Sequence, residues 1–404
     1  MRIGIVGAGL LGAGVALELA ERGHDVEVFE REGASVSRAS CQNEGKVHLG
    51  FVYGHDPSLA TARLMARGAY CFAPIVRRWL ALDRLPLVAS SPFHYFVHRD
   101  SLCSTGELQA FYGRVVELAR EESARPGASY LDVDTVPCCR RLTACERARV
   151  AGDGIVDAFL TSELAVDPEP LAELVRARLA GEPRVALHLR TTATAVTIGR
   201  DEVEIDVAGP EGARRASFDH VVNASWDDLL RLDRSAGVEP RGPWSFRLKR
   251  YLRARVPDVP APPSATIVLG AFGDVVRYAS GHVFLSWYPA GCTGLSTAIR
   301  HPEAGRLPGP EEQAGLRRAI HRELAALVPA LEGLPAGAIE NAEVLSGIIL
   351  AQGVTDVNDH HSGLHARFDV GPRSFGRYHS VDTGKWTVAP LFARSVANRI
   401  VGDA

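Results

Sequence analysis

The hydrophobic pattern begins with two apolar runs on either side of a helical pattern. Ile3, Ile5 and Val6 form a short, nearly continuous apolar run, which is typical of a buried parallel strand. Residues 13–20 then carry apolar side chains at helical spacing, and Gly23 follows as a helix stop. A second apolar run ends near residue 29. This order predicts a strand–helix–strand unit of a parallel sheet.

The rest of the chain continues with both periodicities. Helical spacing predicts helices over 57–83 (bent near Pro74), 106–124, 169–179 and about 310–328, and a last helix at the C-terminus. Strands are predicted at about 185–189, 193–198, 202–207 and 220–226, and a β-rich segment at about 243–295. Small and polar residues make 32–54 a loop containing one short strand. The pattern therefore predicts an α/β protein with a second, β-rich part.

The turn after the first strand carries candidate chemistry. Gly7, Gly9 and Gly12 form G-x-G-x-x-G, which allows a tight turn, close approach of a pyrophosphate, and packing of the helix on the sheet. The free N–H groups of the helix N-terminus favour phosphate. Glu30, at the end of the second strand, is placed to bind a ribose, and an acid there disfavours the 2′-phosphate of NADP. We predict dinucleotide contacts from this motif, including Leu10, Leu11 and Arg31.

Composition narrows the class of protein. The 404 residues leave room for two domains, and a net charge of −3 gives no global attraction to nucleic acid or anionic membranes. Seven cysteines, an odd number without a C-x-x-C pair, suggest a reducing compartment and no cysteine metal site. The apolar N-terminus is interpreted as the nucleotide-binding strand, not a signal peptide, and no segment reaches a membrane-spanning length. We expect a cytoplasmic protein.

Three separated pieces carry a family resemblance. They are GAGLLG with Glu30, the Ala224–Trp226 end of the strand near 220, and the TGKWT turn at 383–387. Together they resemble the D-amino-acid-oxidase-like (DAO) family of FAD-dependent oxidoreductases. The resemblance implies a discontinuous Rossmann-type FAD-binding domain with a β-rich α+β substrate domain. It places the FAD-binding domain at 1–85, 146–235 and 340–404, and the substrate domain at 86–145 and 236–339.

The loop near residue 48 adds a finer resemblance. Asn43, Gly45, His48, Gly50 and Tyr53 form a pattern similar to L-2-hydroxyglutarate dehydrogenases, in which this stretch passes the flavin and contributes an active-site histidine. His48 is therefore the catalytic candidate. The C-terminal GKWTVAP departs from that subfamily and is closer to the GKLTT-like turn of glycerol-3-phosphate dehydrogenases. The substrate consequently cannot be carried over from either relative.

The resemblance also implies further contacts to FAD. These involve Ser40, Asn43, Ala195, Ala224, Trp226, Gly384, Lys385 and Trp386. Reduction places negative charge on the flavin, and a helix N-terminus opening at 384–386 would stabilise that charge. The alternative is an ordinary helix start.

Three roles are open for His48. A histidine ordinarily titrates near pH ~6.5, so this side chain could accept a proton from a substrate hydroxyl as hydride leaves. It could instead attach the flavin covalently, or simply face solvent or a carbonyl.

Polar residues of the β-rich segment are the substrate-binding candidates. Arg247, Lys249 and Tyr251 share one face of a strand by the period of two, and Tyr288 comes from a neighbouring strand. A carboxylate or phosphate would bind there, although a charged strand face is more often solvated. In DHHSGLHAR, the histidines lack a metal-binding spacing, so no metal is predicted. The family resemblance implies that this segment lies close to the flavin, so Arg367 or His365 is expected to face the pocket.

The leading prediction is an FAD-dependent oxidase or dehydrogenase. It would take a hydride from a C–N or C–O carbon of a small polar substrate, an amine, amino acid or 2-hydroxy acid. Oxygen or another acceptor would reoxidise the flavin. The alternatives are an NAD-dependent dehydrogenase, in which the GKWT turn has no role, and a non-catalytic FAD-binding protein, in which His48 and Tyr288 have none.

Overall fold

The computed structural model describes residues 1–256 and 262–402. In chain order the strands are β1 (Arg2–Val6), β2 (Asp25–Phe29), β3 (Lys46–Val47), β4 (His94–His98), β5 (Cys139–Arg141), β6 (Ile155–Thr161), β7 (Leu164–Ala165), β8 (Val185–His188), β9 (Thr192–Ile198), β10 (Val203–Gly209), β11 (Gly212–Phe218), β12 (His220–Asn223), β13 (Trp244–Arg255), β14 (Ala265–Val268), β15 (Gly273–Arg277), β16 (His282–Trp287), β17 (Cys292–Ser296), β18 (Glu343–Gln352), β19 (Gly371–Phe375) and β20 (Tyr378–Asp382). The helices are α1 (Leu10–Glu21), α2 (Ala60–Leu80), α3 (Thr105–Ser123), α4 (Ala144–Val150), α5 (Pro168–Ala180), α6 (Leu229–Ser235), α7 (Tyr288–Gly291), α8 (Pro310–Leu327), α9 (Ala336–Glu340) and α10 (Ala389–Val401).

The first sheet contains the predicted strand–helix–strand unit. Its order is β19-β20-β12-β1-β2-β8, and β1 pairs in parallel with both β2 and β12. Helix α1 packs closely on α2 and α10, because a Cβ on Gly14 would lie 2.3 Å from the ring of Trp79 and 3.0 Å from Ala393. Segments from the start, middle and end of the chain thus build one sheet, as in a nucleotide-binding domain. The predicted α/β class is confirmed.

The second sheet positions the polar strand face. Its order is β17-β13-β16-β15-β14-β4-β6-β5, and β18 pairs with β13 over most of its length. Along β13, Leu252 and Ala254 join the apolar cluster formed with α8, while Arg247, Lys249 and Tyr251 alternate toward a cavity. The period of two therefore separates a helix-covered face from a polar cavity face. Smaller sheets join β9, β10 and β11, and β3 with β7.

The predicted helices are confirmed, with small shifts at their ends. α2, α3, α5 and α8 correspond to the four internal predictions, and Pro74 lies inside α2. Capping residues determine where two of these helices begin. Ser104 and Glu107 form a capping box at α3, and Asp167 caps α5 ahead of Pro168.

Two strands lie in the second sheet although their residues fall within the ranges predicted for the FAD-binding domain. They are β6, which pairs with β4, and β18, which pairs with β13. The reason is long-range strand pairing, which local patterns do not reveal. The domain ranges themselves stay a prediction. Among the described residues, no helix is both long and apolar enough to cross a membrane.

Candidate active site

The glycine turn after β1 has no room for side chains. Gly7 has φ of +92°, and a Cβ there would lie 2.7 Å from the carbonyl oxygen of Ala224. A Cβ on Gly12 would lie 1.9 Å from the Gly7 carbonyl oxygen, which backbone atoms cannot accommodate. A Cβ on Gly9 would crowd the Ser40 hydroxyl at 2.9 Å, and that hydroxyl accepts a hydrogen bond from the Leu10 N–H. The three glycines therefore keep backbone exposed at the helix start.

A first cavity opens beside this turn. Backbone N–H groups of Ala8 and Glu32 donate to the Glu30 carboxylate at 2.7 and 2.9 Å and hold it at the cavity wall. Arg31 donates to both carboxylate oxygens of Asp227 at 2.8 Å, which ties the end of β2 to the segment after β12. Gly7, Glu30, Arg31 and residues 191–193 line this cavity, which suits the ribose end of a dinucleotide.

A second, larger cavity continues from the first. The two share Gly9, Ala39, Ser40, Ala224 and Trp226 in their walls. The second one is also lined by the other predicted cofactor-binding residues Leu10, Leu11, Asn43, Gly384, Lys385 and Trp386. The predicted residues Gly12 and Ala195 line neither cavity. Gly12 packs against the carbonyl group of Gly7, and Ala195 pairs with Asp206 on β10. One extended ligand could therefore span both spaces.

A hydrogen bond joins the C-terminal turn at residues 383–387 to the loop that contains Ser40. Gly384, with φ of +61°, donates its N–H to Asp382 at 2.9 Å, and a 3₁₀ turn at Trp386–Val388 leads into α10. The Trp386 indole N–H donates to the carbonyl oxygen of Ser40 at 3.1 Å. Lys385 is enclosed in the cavity wall, and burial together with the charges of Arg367 and Lys249 lowers its pKa to about 8.

His48 lies directly opposite this turn. Its backbone N–H donates to the Thr387 hydroxyl at 2.9 Å, which couples the loop after β3 to the chain end. The imidazole is 4% exposed and lines the second cavity. Its Nδ1 lies 3.6 Å from an oxygen of Glu163, and its Nε2 lies 3.8 Å from an oxygen of Glu44. The predicted catalytic histidine is therefore held between two carboxylates.

Sequence reasoning missed several charged residues around His48. Glu163 has no exposed side-chain surface and accepts hydrogen bonds from the Leu49 N–H and the Tyr95 hydroxyl. Burial alone would raise the pKa of its carboxyl, but His48, Lys46 and Tyr95 lower it below the usual range. Lys46 Nζ lies 2.8 Å from Asp274 Oδ1. No local signal marked these residues, since Glu163 lies more than 100 positions from His48 and Leu49, and Asp274 lies 228 positions from Lys46.

The polar face of β13 forms another wall of the second cavity. Lys249 Nζ lies 4.8 Å and the Arg247 guanidinium 5.6 Å from the ring centre of Tyr288. Burial opposes the charge on Lys249, but Tyr288 and the carboxylates Glu44 and Asp274 raise its pKa above the usual range. Tyr251 lies beside Phe284, with the ring centres 4.6 Å apart. The predicted residues Lys249, Tyr251 and Tyr288 thus come together here.

Arg367 closes the cavity next to the C-terminal turn. Its guanidinium donates to the carbonyl oxygens of Leu350 and Gly384, both at 3.1 Å. Within the described ranges, neither Arg367 nor Lys385 has a carboxylate oxygen within 4.0 Å. His365 also lines the cavity, and its Nε2 lies 2.8 Å from the Asp359 carbonyl oxygen. Over residues 1–256 and 262–402, no group of three or more histidine, cysteine, aspartate or glutamate side chains is arranged to hold a metal ion.

Charge in the second cavity favours an anionic ligand. Lys46 and Asp274 neutralise each other, and Arg247 pairs with Asp356 at its outer side. Among the remaining lining residues, the three cations Lys249, Arg367 and Lys385 outnumber the one carboxylate, that of Glu44. Asp382, another carboxylate that acts on Arg367, does not line the cavity. Since buried cations are costly without counter-charges, a substrate carboxylate, or negative charge on a cofactor, would be stabilised here.

The residues present fit FAD. The glycine turn exposes backbone without side chains, and Glu30 lines the first cavity. Wall residues common to both cavities connect the first cavity to the second. FAD would be held by the turn at its phosphates, by Glu30 at a ribose, and by Gly384–Trp386 near the flavin. This assignment uses both ends and the middle of the chain.

Comparison with protein families agrees with this assignment. A family model described as FAD dependent oxidoreductase (DAO) matches residues 2–398. The FAD-dependent monooxygenase FPY4 of Fusarium mangiferae is 25% identical over 235 residues, which cover 57% of this chain and 51% of that protein. The match thus spans about half the length of this curated relative.

Solved structures share the fold over the whole chain. Glycine oxidase from Geobacillus kaustophilus superposes with a TM-score of 0.68 at 19% identity, covering 100% of this chain and 95% of that chain. Iminodiacetate oxidase from Chelativorans sp. BNC1 gives 0.66 at 16% identity, covering 100% and 96%. The FAD-bound L-alpha-glycerophosphate oxidase from Mycoplasma pneumoniae gives 0.66 at 14% identity, covering 99% and 94%. At these identities the likeness establishes the fold alone.

Proposed function

The chain belongs to the DAO family of FAD-dependent oxidoreductases, and from this premise we propose that it oxidises a small anionic substrate at a carbon bearing oxygen or nitrogen. The observation that carries the proposal is the pair Arg367 and Lys385. Both cations line the cavity that His48 also lines, Arg367 buried and Lys385 half-buried, and in the described part of the chain neither has a carboxylate oxygen within 4.0 Å. A substrate carboxylate would supply the missing counter-charge.

The side chains divide the work of such an oxidation. When bound, FAD would supply the hydride acceptor for the substrate carbon. Arg367 binds and orients the carboxylate, and His48 accepts the proton of the hydroxyl whose carbon loses the hydride. The products are then a 2-oxo acid, a protonated His48 and reduced FAD. The backbone at Gly384–Trp386, which leads into α10, would stabilise negative charge on the cofactor.

A 2-hydroxy acid is the first candidate substrate. A hydroxyl must lose its proton as the hydride departs, whereas a neutral amine can be oxidised without a base at that step. The enclosed imidazole of His48 supplies such a base.

An amino acid is the second candidate. The Glu44 carboxylate lines the cavity and would accept hydrogen bonds from a substrate amine. The similar structures named glycine oxidase and iminodiacetate oxidase also favour this class.

The first test is the visible spectrum of the purified holoenzyme before and after acid precipitation. We expect a flavin spectrum that moves into the supernatant, followed by anaerobic bleaching with 2-hydroxy acids, amino acids or both. Colour that stays in the pellet would show a covalently attached flavin, and His48 would be the first residue to test as the attachment site. A flavin that no substrate of either class bleaches would contradict the proposal. The electron acceptor and the cytoplasmic location remain predictions.

A further inference from the structure

The imidazole of His48 lies between the carboxylates of Glu44 and Glu163, which come from different parts of the chain. Glu44 precedes β3, whereas Glu163 precedes β7, more than 100 residues later. The Glu44 side chain is 18% exposed and lines the cavity, while Glu163 is completely enclosed and does not. The two carboxylates therefore differ in access to a substrate.

Glu163 is held rigidly in its place. The Leu49 N–H donates to one carboxylate oxygen at 2.6 Å, and the Tyr95 hydroxyl donates to the other. The oxygen bound by Tyr95 is also the one that lies 3.6 Å from His48 Nδ1. Because the neighbouring backbone fixes this acid, it can fix the imidazole in turn.

The Nδ1 atom of His48 has no hydrogen-bond partner among the described residues, although it is buried. A lone pair on Nδ1 would face a carboxylate, which repels it, whereas an N–H would face an acceptor. Nε2 also lies near a carboxylate, but Glu44 is farther away, at 3.8 Å, and partly exposed, whereas Glu163 is fully buried at 3.6 Å. The favoured neutral form therefore carries its proton on Nδ1. A shift of a few tenths of an ångström would complete the hydrogen bond to Glu163.

We propose that Glu163 is the positioning residue of His48: it holds the imidazole with Nδ1–H toward itself and leaves Nε2 free to accept the substrate proton. This inference rests on the proposed function for the role of Nε2. When Nε2 takes the proton, the imidazole becomes a cation with a donor on each nitrogen. Glu163 and Glu44 then each face one donor, so both acids stabilise the product of the transfer.

Other ionisable groups surround this unit and must be considered in any titration. They are Tyr53, whose ring centre lies 6.1 Å from that of His48, Lys46 near Glu163, and Lys249 and Lys385 near Glu44. The lysines oppose a positive charge on His48, whereas the two carboxylates favour it. Removing the charge of Glu163 should therefore lower the pH at which His48 titrates.

The test is NMR of the FAD-loaded full chain with labelled histidine. Long-range proton–nitrogen spectra distinguish the Nδ1–H and Nε2–H forms, and His48→Asn identifies the His48 signals by their absence. We expect Nδ1–H in the wild type at high pH. In Glu163→Gln the midpoint pH of the His48 signals should fall by one unit or more. The Nε2–H form in the wild type, or an unchanged midpoint in Glu163→Gln, would overturn the proposal.

Two further variants separate this effect from general damage. Glu122→Gln neutralises another buried acid, on α3, and should leave the midpoint of His48 unchanged. Glu163→Asp keeps the negative charge but moves it away from His48, because the side chain is one methylene shorter. The midpoint should therefore lie between those of the wild type and Glu163→Gln. This variant also serves if Glu163→Gln does not fold, and a midpoint equal to that of the wild type would then count against the proposal.

The NMR readout needs no substrate, so the two hypotheses can fail separately. If Glu163 controls the tautomer but neither hydroxy acids nor amino acids bleach the flavin, the pairing stands and the proposed function fails. If substrates bleach the flavin but His48 has the Nε2–H form, the proposed function stands and the pairing fails. When both hold, Glu163→Gln should also shift the acidic limb of kcat/KM to lower pH.

Discussion

At the scale of single residues, the neighbours of each charged side chain in the second cavity determine its pKa. Lys249 and Lys385 are both enclosed in one cavity, yet their pKa values move in opposite directions, upward for Lys249 and downward to about 8 for Lys385. Glu44 and Asp274 favour the charged form of both lysines, and Tyr288 adds to this effect at Lys249, whereas at Lys385 burial and the charges of Arg367 and Lys249 outweigh it. The side chain that an anionic substrate can most readily influence is therefore Lys385.

Replacing His48 tests the base directly. In His48→Asn we expect the rate of anaerobic flavin reduction by a 2-hydroxy acid to fall by roughly 10²-fold or more, the usual contribution of general base catalysis. FAD content should be retained, since the predicted phosphate and ribose contacts lie elsewhere. Stopped-flow absorbance measures the rate. An unchanged rate with bound FAD would show that His48 does not accept the proton.

Lys385 should make substrate binding depend on pH. Its folded-state pKa of about 8 means that the cation is present below that pH and is lost above it. An anionic substrate should therefore bind more weakly as the pH rises through about 8, which a spectral titration of the holoenzyme would detect. Lys385→Met should bind more weakly at pH 7 and show no such transition. A transition that persists in this variant would assign it to another group.

At the scale of elements, much of the architecture follows from local patterns. The glycine turn, the helices α2, α3, α5 and α8, and the alternation along β13 were all predictable from periodicity and caps. The pairing of β18 with β13 was not, because partners in a sheet can be any distance apart in sequence. The same limit applies to the site: His48 was visible within a local motif, but Glu163 and Asp274 reach it only through tertiary folding.

Alternation alone could not settle whether the charged face of β13 meets solvent or a cavity. Periodicity places Arg247, Lys249 and Tyr251 on one side, and a solvated face was the open alternative. In the structure Lys249 is only 6% exposed, because neighbouring strands and the segment after β18 enclose that side. What decides the environment is thus the arrangement of elements, not the sequence of the strand.

A buried histidine pair between β20 and β12 of the first sheet should weaken the fold in acid. His379 on β20 lies 3.0 Å from His220 on β12, and burial, with the charges of His220 and Arg399, lowers its pKa to about 4. Its unfolded-state pKa is about 6.5, so below that pH the unfolded chain binds a proton that the folded chain refuses. Stability is therefore full above pH ~6.5 and falls as the pH drops toward 4, by about 3 kcal/mol.

Urea unfolding of the holoenzyme between pH 7 and 5 measures this loss. In His379→Gln the free energy of unfolding should depend less steeply on pH, because one group that titrates differently in the two states is gone. His361→Gln, at an exposed position, should retain the slope of the wild type. Equal slopes in the wild type and His379→Gln would refute the assignment.

At the scale of the whole molecule, the cofactor site joins segments that are distant along the chain. Gly7–Gly12, the strand end at Ala224 and the turn at Gly384–Trp386 surround two connected cavities. A ligand bound to the folded chain but not to the unfolded one stabilises it by mass action, by about 2.7 kcal/mol at 100 times its Kd. Because FAD would contact all three segments, its removal should lower the stability of the molecule as a unit.

Gly12→Ala should abolish this stabilisation. The new Cβ would lie 1.9 Å from the Gly7 carbonyl oxygen, so the turn must move and can no longer present its backbone to the pyrophosphate. We expect little bound FAD and a Tm that no longer rises with added FAD, whereas the Tm of the wild-type apoprotein should rise.

Gly113→Ala is the matched control on α3, where a Cβ meets no atom within 4 Å. This change should raise stability slightly and leave the response intact, since alanine favours a helix over glycine by about 1 kcal/mol. If Gly12→Ala keeps the full response, the turn does not bind the cofactor, and the link from the first motif to the active site is broken.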